Sequence, residues 1–340
     1  MVSLLFRRAA RLPVIQPWPA FGYAPQPGRE TPATGPEVSR RLEGARYPSF
    51  CDRDVAAARE HRPLIASLGR PPALPGSSSA GPVPLLRRGS GNHCRMEKVV
   101  ALTPIRIAQG IDRRVQMLRH RGAEVFCPLC GHSFDRFKDD WNRPDALCWR
   151  CGSQERHRAQ WLLLECRPNL LAGARSLLHF APEWALRHHL VRIGSLRYVT
   201  ADLEQQDVDL RLDVTAIDLP DACFDAVICS HVLEHVEDDR AAMRELRRIT
   251  APGGWCLVMV PLDLGRERTY EDPTIVSSEE RERAFWQSDH VRLYAPDVGE
   301  RLTAAGFTVE RIRPFEEFGS EMGIRCRLLE ADHMWLCRPG

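Results

Sequence analysis

Twelve cysteines stand in this 340-residue chain, and four of them form two close pairs, Cys127-x2-Cys130 and Cys148-x2-Cys151. Seventeen residues separate the pairs, and a glycine follows each, Gly131 and Gly152. Two residues between cysteines let both thiolates reach one ion from a tight turn, and the glycine lets the backbone fold so that its amides face the sulfurs. Four thiolates make a closed tetrahedral Zn²⁺ site at about 2.3 Å Zn–S, which contributes to folding and leaves no open position for catalysis. The expectation is one structural zinc held by Cys127, Cys130, Cys148 and Cys151. His132 and His157 lie near the knuckles and are expected to be outer-layer or surface residues. Eight scattered cysteines and a chain of this length argue against a disulfide scaffold and for a reducing, cytoplasmic setting.

A second group of chemistry-bearing residues sits at the ends of short apolar runs. The runs SLLHF, RYVTAD, RLDV and FDAVICS each carry a polar or acidic residue at the last or next-to-last position, and a helical pattern separates the first two. That alternation reads as a parallel sheet with crossover helices, and such sheets bind ligands at the strand ends. Asp202 ends the second run, where an acid can take both ribose hydroxyls of a nucleoside. Asp213, followed by Val214, ends the third, where a carboxylate can accept from an exocyclic amine. Ser230 and His231 end the fourth.

Further along, a polar stretch of about 30 residues, 262–294, is long for a simple connection and reads as a substrate lid. Its candidates are His290 as a general base, oriented by Asp289 or Glu271, with Arg292 to hold an anionic group and Tyr270 or Tyr294 to stack on or bond a substrate. The bland alternative is a cluster that caps and pairs across the following helix. Glu279–Arg283 reads as a solvated face.

The elements that must position these residues follow in order. Residues 1–95 hold 14 Pro and 9 Gly without a repeat, and are expected to be a disordered or linker extension with short helices near 36–45 and 52–61. Met96 is the expected true start; a targeting segment or a partner-binding tail are the alternatives. Ile107, Ile111, Val115 and Leu118 have helical spacing in 103–121. The ribbon and a helix from Ser153 to about Leu164 complete 96–170. Strands are expected at 175–180, 197–200, 211–214, 224–230, 255–260, 307–313 and 333–337, with helices at 183–193, 238–250 and 295–305. No apolar run approaches the ~18 residues needed to span a bilayer.

From Leu178 to Pro261, with FDAVICSHVLEHV and a Pro-Gly-Gly before the fifth strand, the chain resembles the class I S-adenosylmethionine (SAM)-dependent methyltransferases of the type 11 group. With CPLCG and CWRCGSQERHR ahead, it is similar to a bacterial subgroup that couples a four-cysteine zinc ribbon to that fold. The resemblance covers about 171–340. It implies a Rossmann-like, seven-stranded α/β sheet in the order 3-2-1-4-5-7-6 with the last strand antiparallel. By position it implies that Asp202 binds ribose, that Asp213 and Val214 contact adenine, and that Ser230 and His231 line the methionine side.

One loop departs from the family. Where an acid and three glycines are usual, this chain has His179, Phe180, Ala181, Pro182, Glu183, Trp184 and Ala185. Glycine lets a backbone turn and approach a ligand freely, whereas proline fixes φ and removes an amide. The loop must therefore be shaped differently, and Glu183, opening the next helix, is expected to supply the carboxylate that meets the methionine ammonium.

The leading expectation is methyl transfer to a small or carbohydrate-like acceptor, on oxygen. Two alternatives are an RNA methyltransferase with a zinc module and a non-catalytic zinc-ribbon protein that only binds a ligand or partner. Residues 96–340 carry 33 basic and 39 acidic residues, which weighs against a large nucleic-acid footprint.

Overall fold

A computed structural model describes residues 104–140 and 143–340. The expected 1–95 extension and its short helices lie outside the described residues. Helix α1 (Pro104–Arg119) matches the expected helical spacing, but Ile111, Val115 and Leu118 lie exposed on it. Next come two small antiparallel hairpins, β1 (Val125–Cys127) with β2 (His132–Phe134) and β3 (Lys138–Asp140) with β4 (Arg143–Leu147). Helices α2 (Glu155–Cys166) and α3 (Asn169–Ala172) lead into the main sheet.

The sheet begins with β5 (Ser176–Phe180), buried at every position, followed by α4 (Trp184–Leu190) and β6 (Arg197–Asp202). A short β7 (Leu210–Arg211), then β8 (Phe224–Ser230), α5 (Asp239–Ile249) and β9 (Thr250–Met259) follow. The polar stretch contributes β10 (Tyr270–Glu271), α6 (Ser278–Phe285) and β11 (Arg292–Leu293). The chain finishes with α7 (Val298–Ala304), β12 (Phe307–Ile312), α8 (Pro314–Phe318), α9 (Ser320–Arg325) and β13 (Met334–Pro339). Helices α8 and α9 have no counterpart in the sequence reading.

Seven strands form one sheet in the order β12-β13-β9-β8-β5-β6-β7. Counted from β5 this is 3-2-1-4-5-7-6, and β13 runs antiparallel to both neighbours. The central strands β5 and β8 are buried almost throughout because helices cover both faces of a parallel sheet. Asp225 pins the amino end of β5: its Oδ2 accepts from the Arg175 and Ser176 amides at 3.0 Å and from Ser176 Oγ at 2.9 Å. The Pro-Gly-Gly lies inside β9 rather than before it. A Cβ on Gly254 would stand 2.4 Å from the Asp225 carbonyl oxygen, so the register shift between β8 and β9 needs a residue without one.

Residues 112–340 form one compact unit. One apolar cluster joins Cys127, Phe134 and Phe137 of the ribbon to Leu163 of α2, Leu186 of α4 and Leu177, Ile228 and Leu257 of the sheet. A second cluster packs α5 and α7 on the opposite face. Arg158 of α2 is wholly buried between the ribbon and α9. It donates to the carbonyls of Ala146 (3.0 Å), Ser153 (2.6 Å) and Cys326 (2.6 Å), and lies 4.4 Å from the centre of the Phe137 ring. The ribbon therefore shares its core with the sheet.

Candidate functional site

The four ribbon cysteines converge. Cys127 Sγ lies 3.5 Å from Cys151 Sγ, and Cys130 Sγ 3.6 Å from Cys148 Sγ. These separations far exceed the ~2.05 Å of a disulfide. They match the edge of a tetrahedron with 2.3 Å bonds, about 3.8 Å. Each knuckle closes on its glycine: the Gly131 amide donates to the Cys127 carbonyl at 2.8 Å and the Gly152 amide to the Cys148 carbonyl at 2.9 Å. Both glycines have left-handed φ, 68° and 69°. Buried Ser153 places its hydroxyl 3.2 Å from Cys127 Sγ and 3.3 Å from Cys151 Sγ. The donor set fits a zinc ion.

The departing loop sits at the carboxyl end of β5. Ala181 adopts φ 46°, the conformation that glycine takes at no cost, so the turn is kept and the alanine bears the strain. Phe180 goes into the core, and Pro182 is buried too. Glu183 stands at the N-cap of α4, where its Oε1 lies 2.6 Å from Arg156 Nε and 2.7 Å from His157 Nε2. The Gln154 amide donates to His157 Nδ1 at 3.0 Å, which leaves the proton on Nε2, the nitrogen that lies close to Glu183. Burial pushes His157 down, so the close contact is made by a neutral ring. Burial alone would push the Glu183 carboxyl up; His157 and Arg156 instead hold it well below the usual range. This corrects the surface or outer-layer place expected for His157.

Around this pair, buried polar atoms converge without partners. Glu183 Oε2, Gln160 Oε1, His179 Nε2 and His231 Nε2 have no hydrogen-bond partner among the described residues. Gln160 Nε2 donates to Ser230 Oγ at 3.1 Å, tying α2 to the end of β8. His179 Nδ1 is 2.9 Å from Tyr198 Oη, and burial lowers the His179 pKa to about 4, so the ring is neutral. His231 has φ 54°, a strained turn of the kind found at ligand sites. Leaving such atoms buried and unpaired costs ~1–3 kcal/mol each, so a polar ligand is the natural complement. The expected Glu183, His179, Ser230 and His231 are thus brought together. Gln160, His157 and Arg156 of α2 join them and were missed.

Asp202 ends β6 with Oδ1 accepting from the amides of Glu204 (2.7 Å) and Gln205 (2.8 Å). Asp213 Oδ1 accepts from Thr215 N (2.8 Å) and Oγ1 (2.7 Å), and Val214 beside it is buried. Both acids hold turns at strand ends on the same edge of the sheet as the loop.

The 262–294 segment requires corrections. Arg292, expected to hold a substrate anion, is buried. It donates to the carbonyls of Leu233 (2.7 Å), Val236 and Glu237 (2.8 Å), capping the 3-10 turn Leu233–His235, and lies 3.5 Å from Glu271 Oε2. Tyr294 is a core residue whose hydroxyl donates to Asp239 Oδ2 at 2.8 Å, so it is not a substrate group. Glu271 pairs with Arg301 as well as Arg292. Asp289 Oδ2 lies 3.2 Å from His235 Nδ1, so its orienting effect falls on His235. His290 is 1% exposed, and its Nδ1–H donates to the Phe285 carbonyl at 2.9 Å. It therefore lies enclosed beneath the insertion rather than on an open lid surface. Tyr270 lies half-buried, 5.5 Å from the Phe285 ring. These chemistry-bearing types are spent mainly on fastening the insertion to the turn after β8.

Residues 178–258 match the family described as "Methyltransferase domain". An uncharacterized methyltransferase of Mycobacterium tuberculosis (strain ATCC 25618 / H37Rv) is 40% identical over 50 residues, which are 15% of this chain and 25% of that protein. One from Mycobacterium bovis matches to the same extent. The chain therefore spans about a quarter of the length of the curated relatives it matches. Among solved structures, a SAM-dependent methyltransferase from Archaeoglobus fulgidus is 13% identical with a TM-score of 0.37, covering 54% of this chain and 94% of that one. Another from Mesorhizobium loti is 19% identical with a TM-score of 0.34, covering 53% and 96%. The sheet order is that of a Rossmann-like class I methyltransferase fold, and the match to the methyltransferase-domain family spans its first five strands, residues 178–258.

Proposed function

We propose that this chain is a SAM-dependent methyltransferase with a structural zinc ribbon, acting on a small or carbohydrate-like acceptor at oxygen. The observation that carries the reading is the group of unpartnered buried polar atoms at the carboxyl ends of β5 and β8, within the matched domain. SAM supplies an electrophilic methyl group when bound. Glu183 Oε2 and Gln160 Oε1 are acceptors suited to its ammonium. Ser230 and His231 bound the methionine side, Asp202 binds ribose, and Asp213 with Val214 contacts adenine. The protein's part is to orient the donor and exclude water, since positioning supplies much of the rate of such a displacement.

Zinc at Cys127, Cys130, Cys148 and Cys151 has a role in this scheme without touching the reactants. The ribbon shares a core with α2, and α2 supplies Arg156, His157 and Gln160 to the ligand side. RNA as acceptor is disfavoured by the excess of acids over bases in 96–340.

The test is transfer of labelled methyl from SAM into a fractionated lysate of the source cells, with metal analysis of the same protein. Label in the small-molecule fraction and one bound zinc are expected. Label in RNA replaces the acceptor class, and no transfer removes the catalytic reading.

A further inference from the structure

A second cluster of ligating side chains lies apart from the ribbon, at the turn after β8. Glu234, His235 and His290 each place one ligand atom within 4.8 Å of the others. Two come from the 3-10 turn Leu233–His235 and the third from the insertion. The backbone locks the two together: the Val291 amide donates to the Glu234 carbonyl at 2.9 Å, and Arg292 caps the carbonyls around it.

Three features distinguish this cluster from a chance grouping. The first is the carboxylate. Glu234 is 1% exposed, and neither of its oxygens completes a hydrogen bond among the described residues, although His231 Nδ1 stands 3.3 Å from Oε1. A buried carboxylate without hydrogen bonds is costly unless a cation compensates it. The second is tautomer. Each histidine uses Nδ1 on an acceptor, His290 on the Phe285 carbonyl and His235 on Asp289 Oδ2. That arrangement puts the lone pair on Nε2 and is the outer support that metal-binding histidines commonly have. The third is geometry: the two rings meet edge to face with centres 4.7 Å apart.

We propose that Glu234, His235 and His290 bind a divalent first-row metal ion. Two imidazoles and a carboxylate suit zinc, manganese, iron or cobalt, and leave coordination positions for water or an oxygen of the acceptor. Small side-chain rotations bring ligand atoms at this spacing to ~2.1 Å bonds. The placement of the acceptor oxygen rests on the methyl-transfer reading above; the metal site itself does not.

The test uses the full chain with zinc already in the ribbon, titrated with Co²⁺ by calorimetry and by visible absorption. Wild type is expected to take up one further equivalent, with a cobalt spectrum lacking sulfur-to-metal charge transfer. Glu234→Gln and His290→Gln are expected to lose that equivalent while retaining one ribbon zinc. Asp289→Asn, a change at an exposed residue outside the coordination shell, is expected to weaken Co²⁺ binding about tenfold. It serves as the readout if either buried variant fails to fold. No further Co²⁺ uptake by wild type overturns the proposal, as does affinity unchanged in Asp289→Asn. SAM binding, followed separately, distinguishes this failure from that of the methyl-transfer reading: cobalt uptake without SAM binding keeps the site and removes the reaction.

Discussion

Replacing Glu183 by glutamine keeps the volume and removes the charge. In the folded protein Oε1 serves both Arg156 and His157, at 2.6 and 2.7 Å, and Oε2 has no donor. A hydrogen bond to a charged group contributes ~1.5–3 kcal/mol and a neutral one ~0.5–1.5, so each contact loses about 1 kcal/mol. Arg156 keeps 22% of its side-chain exposure, and solvent screens part of its loss. Destabilisation of about 1–2 kcal/mol is therefore expected in urea unfolding of the zinc-loaded chain. The same arithmetic for the ligand's ammonium on Oε2 gives about tenfold weaker SAM binding by calorimetry. The carboxyl is held below its ordinary value, so its contribution to stability is present above about pH 4.5 and is lost as pH falls below it. The variant should lack that acid-side component. Reduced stability with unchanged SAM affinity would refute the ligand role and leave Glu183 only as the tie between α2 and the loop.

Two other outcomes follow from buried groups. Arg158→Met removes three hydrogen bonds to buried carbonyls, partly offset by relief from burying a guanidinium; a loss of about 2–4 kcal/mol in urea unfolding is expected, and a variant as stable as wild type contradicts the staple. His179 has its folded pKa lowered by burial to about 4 from 6.5, so stability should be full above pH 6.5 and fall by about 3 kcal/mol as pH drops to 4. His179→Leu should flatten that slope, and an unchanged slope in acid titrations followed by circular dichroism would place the proton elsewhere.

The strands of the sheet were legible because burial on both faces turns them into short apolar runs, and FDAVICS was located to the residue. The knuckles were legible because cysteine spacing encodes a turn directly. The inner face of α2 was not. GSQERHRAQ announces a helix start but no buried face, because polar residues buried against polar partners leave no apolar periodicity. Only the partner identifies them, and Glu183 lies 27 residues from Arg156. The insertion misled in the opposite way. Arg292 and Tyr294 are types that bind substrates, but backbone carbonyls at a tight turn and a buried Asp239 claim them first. Ala181 shows a third case. The sequence marked a lost glycine, while the structure retains the positive φ that the glycine would have served.

The most direct test of the whole account is calorimetry of SAM with the zinc-loaded, full-length chain. The account predicts one SAM per chain, with affinity reduced by Gln160→Ala and by Glu183→Gln. A correctly folded, zinc-loaded protein that releases no heat with SAM, and that SAM does not stabilise against urea, would contradict it.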